Sequence, residues 1–166
     1  MVQCAYTTAN IEQGMKDFTA RLGVGPWFVT GPFVPAEGIY RGKPTRMRLT
    51  LAIGFAGHMM IELIEQHDDL PSVYREFVER RGHGFHHFAI TARDFDAEVA
   101  RHQALGYAVA FSDRSPRGVR IVYMDTTADL PGMLEIIEMT DALEQRYLEM
   151  HRASLDFDGG EPIKRG

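Results

Sequence analysis

Four side chains able to hold a metal ion stand at matching places in the two halves of this sequence: Gln3 and His87, then Glu62 and Glu135. His87 belongs to Gly84-Phe85-His86-His87-Phe88-Ala89-Ile90-Thr91, where aromatic and β-branched residues alternate with small or polar ones, as in a strand. Side chains alternate across a strand, so His87, Ala89 and Thr91 share one face and Phe88 and Ile90 the other. A histidine with two small neighbours leaves room beside it, as a cavity-lining strand does. Glu62 and Glu135 each interrupt an apolar run, Met60-Ile61-Glu62-Leu63-Ile64 and Met133-Leu134-Glu135-Ile136-Ile137. In both runs the flanking pair faces one way and the carboxylate the other. An inward carboxylate is costly unless a charge or hydrogen bonds meet it. Two carboxylates, an imidazole and an amide oxygen suit one divalent ion of hard or borderline character: Mg, Mn, Fe, Co, Ni or Zn. Such a set leaves positions open for water or substrate, as a catalytic site requires. The competing partner for Glu62 is Arg46 or Arg48, and His86, facing the other way, reads as structural.

The elements that must carry these residues repeat. Residues 2–8 read as a strand. Asn10 then caps a helix with Ile11, Met15, Phe18 and Leu22 on its apolar stripe, closed by Gly23. Strands follow at 26–30, 46–53 and 58–65, the first two separated by a Gly- and Pro-broken connector over 31–44. That connector keeps Phe33, Val34, Ile39 and Tyr40, so it is either packed down or covers a binding site. Pro71 and Ser72 open a linker helix. The pattern then recurs. A strand at 84–91 leads to a helix capped by Asp94 and ended by Gly106, and strands follow at 107–111, 119–124 and 133–139. A helix over 141–155 and a polar, mobile tail over 158–166 complete the chain. Asn10-Ile11 and Asp94-Phe95 share the offset of Gln3 and His87, and Leu22-Gly23 recurs as Leu105-Gly106. The expected fold class is α+β: two tandem βαβββ modules whose mixed sheet forms a cup, with a linker helix and a C-terminal helix. One domain spans 1–166, with module one at 1–66, the linker helix at 67–83, module two at 84–140 and the terminal helix and tail at 141–166.

Composition narrows the function. The 166 residues are 45% apolar and 25% charged, which fits a folded domain with a solvated surface. A net charge of −5 without a basic stripe argues against nucleic acid. No apolar run approaches the roughly 20 residues of a membrane helix, and none has signal-peptide form. The single cysteine, Cys4, allows no intrachain disulfide and fits a reducing, cytoplasmic setting.

The repeat, the Met60–Ile64 run, the Gly84–Ile90 stretch and Pro131-Gly132-Met133-Leu134-Glu135-Ile136-Ile137 together resemble the vicinal oxygen chelate superfamily. That superfamily includes glyoxalase I, methylmalonyl-CoA epimerase, extradiol dioxygenases and the bleomycin and fosfomycin resistance proteins. The resemblance runs from Val2 to about Thr140 and is nearest the epimerase and glyoxalase branch. It implies that Gln3, Glu62, His87 and Glu135 are the metal ligands, a set more like that of glyoxalase I than the His-first set of the epimerases. It also implies a homodimer. A Gln at the first position departs from the extradiol dioxygenases. The strand after the connector carries Arg46 and Arg48 where the epimerases place a second acid.

The chemistry implied is removal of a proton next to the carbonyl of a small substrate, through a metal-stabilised enolate, by an isomerase, epimerase or lyase. Glu135 is the expected base and Glu62 the second candidate. Trp27, Phe33 and Tyr40 are candidates for substrate contact or for core, while Arg46 and Arg48 would meet an acidic group or blunt a solvated edge. The alternative function is a binding protein of the bleomycin-resistance type, which sequesters a compound without chemistry.

Overall fold

The computed structural model describes residues 1–115, 117–160 and, for their backbone, 163–165. Strand β1 (Gln3–Thr7) leads to helix α1 (Ile11–Leu22), capped as expected by Asn10 Oδ1 accepting from Gln13 N. Gly23, in the left-handed region at φ 67°, ends α1 while its N–H reaches back to Phe18 and Thr19 carbonyls. Then come β2 (Trp27–Phe33), the short β3 (Ile39–Tyr40) and β4 (Lys43–Pro44), β5 (Leu49–Ala56) and β6 (Met59–Gln66). Helix α2 (Val73–Arg81) joins the halves. Its cap is Ser72, so Pro71 lies just outside the helix and not in its first turn. The second half runs β7 (Gly84–Ala92), α3 (Phe95–Ala104), β8 (Val109–Arg114), β9 (Arg120–Met124), β10 (Met133–Glu138) and α4 (Asp141–Leu155).

All strands form one mixed sheet in the order β11-β2-β5-β6-β1-β7-β10-β9-β8-β3-β4, where β11 is Ile163–Arg165. The halves match by register. In the first, β1 runs parallel to β6 with Ala5 beside Glu62; in the second, β7 runs parallel to β10 with Ala89 beside Glu135. The two central strands, β1 and β7, are antiparallel. Helices α1 and α3 each cover the outer face of their own half. Ile11 and Met15 pack on Ile61 and Leu63, and Phe95 packs on Leu134 and Ile136. The flanking residues of each carboxylate thus point outward, and Glu62 and Glu135 point inward.

The inner face is filled at both ends. Val73, Tyr74 and Phe77 of α2 pack against Ala5, Met47, Phe111 and Tyr123 at one end. At the other, Met150 and Tyr147 of α4 meet Phe55 and Met60, and Leu143 meets Ala89 and Ile137. The broken connector is packed down. Its β3 pairs with β8 of the opposite half, Arg41 bridges Glu76 and Asp125 at 2.8 Å each, and Tyr40 Oη donates to Glu76 at 2.7 Å. The tail departs from expectation: its backbone at Ile163–Arg165 joins the sheet edge beside β2. Glu161, Pro162 and Gly166 of the tail, and Pro116, lie outside the described residues. Among the described residues no helix is long and apolar enough to cross a membrane.

Candidate metal centre

The sheet brings Gln3, Glu62, His87 and Glu135 together at its centre. In one row across the strands Glu62, Ala5 and His87 are neighbours; in the next, Gln3, Ala89 and Glu135 are. Adjacent strands lie about 4.8 Å apart, so each pair spans two strand spacings and must lean together over the residue between. That residue is alanine both times, and both alanines are fully buried. Ala89 is therefore floor beneath the cluster and not open space for a substrate. All four polar side chains are buried, Gln3 at 2% exposure, Glu62 at 6%, His87 at 0% and Glu135 at 5%.

Their atoms converge. His87 Nε2 lies 3.2 Å from Glu135 Oε2 and 3.6 Å from Glu62 Oε2. One ligand atom from each of Glu62, His87 and Glu135 lies within 4.8 Å of the others. Gln3 Nε2 donates to Glu62 Oε2 at 2.9 Å and sits 3.4 Å from His87 Nε2. Turning the amide about its last bond would exchange nitrogen for oxygen on that side. Arg46 and Arg48 are exposed and neither pairs with Glu62, which removes the competing explanation for its burial. Burial, with the charge of Glu135 adding to it, pushes the Glu62 carboxyl well above the usual carboxylate range; the Gln3 hydrogen bond works the other way.

His86 does not face away from His87. Both His86 and His87 lie opposite Ala5, because the pairing skips from Ala5–His87 to Tyr6–Phe85. This is a β-bulge, and it turns both histidines to the inner face while Phe85 and Phe88 pack at a tilt on the outer one, ring centroids 4.6 Å apart. Gly132 passes so close to the bulge that a Cβ there would run into the His86 carbonyl. His86 Nε2 lies 3.1 Å from the Val73 carbonyl and its Nδ1 lies 2.9 Å from His87 Nδ1. A carbonyl only accepts, so His86 Nε2 carries the hydrogen. Burial keeps His86 neutral, so its Nδ1 accepts and His87 Nδ1 donates. A metal ligand must offer a lone pair, and with the Nδ1 hydrogen committed to His86 the ligating nitrogen of His87 would be Nε2, which is aimed at the two carboxyl groups. A proton on the Glu62 carboxyl or a divalent ion would each relieve the crowding of these atoms, and two carboxyl groups with an imidazole nitrogen are a donor set that fits a divalent ion.

The cluster borders a cavity with two lobes that share Phe28, Thr30, Leu51, Ile53, Ile121, Glu62 and Glu135. The lobe toward α2 is about 130 Å³ and adds Phe33, Tyr74, Phe111, Asp113 and Tyr123. The lobe toward α4 is about 140 Å³ and adds Gln3, Val119, Ile137, Leu143, Arg146, Tyr147 and Met150. Tyr74 and Tyr123 share a hydroxyl contact of 3.0 Å. Burial and the two carboxylates keep both of these hydroxyls protonated. Of the expected substrate contacts, only Phe33 lines this cavity. Trp27 is fully buried under α1, its indole N–H donating to Thr19 Oγ1 at 2.9 Å. Tyr40 fastens the connector to α2. Arg46 borders two separate open recesses of about 600 and 690 Å³, away from the four-residue cluster, and Arg48 is held at the surface, where its N–H donates to Asp68. Both arginines precede β5, which starts at Leu49 and not at 46 as expected; Met47 and Leu49 are buried in the inner-face core, and the arginines alternate with them at the surface. Sequence reasoning missed Asp113, Arg117 and Arg146 in the lining. The one available signal was Arg146, spaced with Leu143, Tyr147 and Met150 on a single helical face.

Residues 2–123 match the Glyoxalase/Bleomycin resistance protein/Dioxygenase superfamily. No curated protein matches the chain. Among solved structures, a hypothetical protein from Bacillus halodurans C-125 superposes with a TM-score of 0.64 at 17% identity, covering 85% of this chain and 94% of that one. Methylmalonyl-CoA epimerase from Mycobacterium tuberculosis gives 0.60 at 17%, covering 87% and 90%. A methylmalonyl-CoA epimerase in complex with methylmalonyl-CoA and NH4+ gives 0.56 at 17%, covering 82% and 92%. These likenesses show the fold. The family match, spanning most of the chain, shows that the chain belongs to the glyoxalase, bleomycin resistance protein and dioxygenase superfamily.

Proposed function

We propose that this member of the superfamily is a divalent-metal-dependent isomerase, epimerase or lyase that removes a proton next to the carbonyl of a small substrate. The observation that carries the reading is the buried convergence of Glu62, His87 and Glu135, one ligand atom from each within 4.8 Å, on the wall of a cavity. Gln3, Glu62, His87 and Glu135 would hold the ion, which when bound supplies Lewis-acid polarisation of the substrate carbonyl. Glu135 is the base. Glu62 is fastened by the Gln3 amide for as long as its nitrogen faces that side, whereas among the described residues Glu135 has only His87 within ion-pair distance. Glu135 faces both lobes, so a substrate carbon in either can reach it. The apolar walls, Phe28, Leu51, Ile53 and Ile121, exclude water and strengthen the electrostatic interactions at that carbon. Dimerisation belongs to the proposal as a family habit, but all four ligands come from one chain.

Two measurements test it. Metal analysis of pure protein should find one stoichiometric divalent ion; none would return the chain to the binding-protein reading. Small carbonyl compounds incubated with the Mn-loaded protein in D2O should include at least one whose α-hydrogen exchanges. Glu135→Gln should slow that exchange by about 10²–10⁴-fold. Unchanged exchange would remove Glu135 as base.

A further inference from the structure

Two guanidiniums outside the ligand set line the same cavity. Arg117 follows β8 and borders both lobes. Arg146 lies on the face of α4 that presents Leu143, Tyr147 and Met150 to the α4 lobe, so its stem is held among apolar groups. Among the described residues neither is within ion-pair distance of a carboxylate, and of the arginines without such a partner these two alone line the cavity beside Glu62 and Glu135. Burial and then the Arg117 charge hold the Arg146 guanidinium below its ordinary range. Asp113, the remaining acid of the cavity, lines the α2 lobe and accepts from the Glu37 N–H at 3.0 Å. Neither Glu62 nor Glu135 lies within ion-pair distance of either guanidinium, and Glu149, exposed on α4, offsets Arg146 only from a distance, so both forks are open to an added anion. Planar guanidiniums bind carboxylate or phosphate oxygens in pairs.

We propose that Arg117 and Arg146 form an oxyanion clamp at the α4 lobe, so that the carbonyl substrate carries a carboxylate or phosphate group. As a statement about substrate this rests on the metal-dependent reading above; as a binding site it does not, and the test separates the two. EDTA-treated protein is titrated calorimetrically with pyruvate and with glycerol 3-phosphate, and with acetone and glycerol as neutral controls. Saturable binding of at least one anion is expected, and which one names the group. Arg117→Gln and Arg146→Gln should each weaken it about tenfold or more while leaving Mn affinity near wild type. Arg146→Lys, which keeps the stem and the charge, guards against a loss caused by misfolding. Anions binding no better than the neutral controls, or Gln variants binding them as wild type does, would overturn the clamp. Anion binding without any Mn binding would instead sink the metal reading and leave the clamp standing.

Discussion

At the scale of single residues, the centre depends on which nitrogen of His87 is bare. The Val73 carbonyl decides this through His86, two hydrogen bonds away from the ligand atom. Groups that orient a ligating histidine typically account for 10–100-fold in metal affinity. His86→Phe keeps a ring of similar size against Tyr74 and Phe77 but leaves His87 Nδ1 without its partner. Mn or Zn affinity, read by calorimetry, is expected to fall about 10–100-fold while circular dichroism stays native; unchanged affinity would deny His86 any part in the centre. Asp113 gives a test by pH. Burial raises its carboxyl above the ordinary range, against the N–H groups of Glu37 and Arg114 that favour the charged form. A group raised on folding contributes stability that is present below its unfolded value, about 3.9, and is lost as pH rises through the folded value. Asp113→Asn retains the Oδ1 acceptor and removes the charge. Its melting temperature should exceed wild type at neutral pH, and the gain should vanish on acidification below the ordinary Asp range.

At the scale of elements, the site was legible because strands have a strict period of two. Parity alone put Glu62 and Glu135 inward and their neighbours outward, and the repeat supplied Gln3 and His87. Parity failed where a bulge adds a residue. Nothing local in Phe85-His86-His87-Phe88 announces that β7 slips against β1, so parity sends His86 to the wrong face. Trp27 stays open between core and substrate contact in sequence, because an aromatic on a cup strand fits either face; the packing of α1 makes it core. Backbone pairing of Ile163–Arg165 with β2 was equally hidden, since a short polar tail has no pattern to read. The alanines between the ligands carry the element-scale prediction. Ala5→Leu or Ala89→Leu places a branched chain where two ligands lean together. Each is expected to cost about 1–3 kcal/mol in denaturant melts and to reduce ion affinity as well. Full ion affinity in either variant would contradict the two-row geometry.

At the scale of the molecule, the chain closes its own cup. Helix α2 fills one end of the inner face, α4 the other, and the connector ties the first half to β8. Sequence could not show this closure, because amphipathic helices such as α2 and α4 carry no mark of which surface they cover. The consequence is thermodynamic. An ion that binds only the folded chain stabilises it by mass action, about 2.7 kcal/mol at a hundredfold excess over its dissociation constant. For a chain of this size that is a rise in melting temperature of roughly 5–10 °C. Because Gln3, Glu62, His87 and Glu135 come from one chain, the rise at a fixed excess of free ion should not change when protein concentration is varied. A site assembled between two chains would instead couple ion binding to dimerisation, and the rise would grow with protein concentration. Scanning fluorimetry of EDTA-treated and Mn-loaded protein across a concentration series separates the two, and His87→Ala should lose the rise at every concentration.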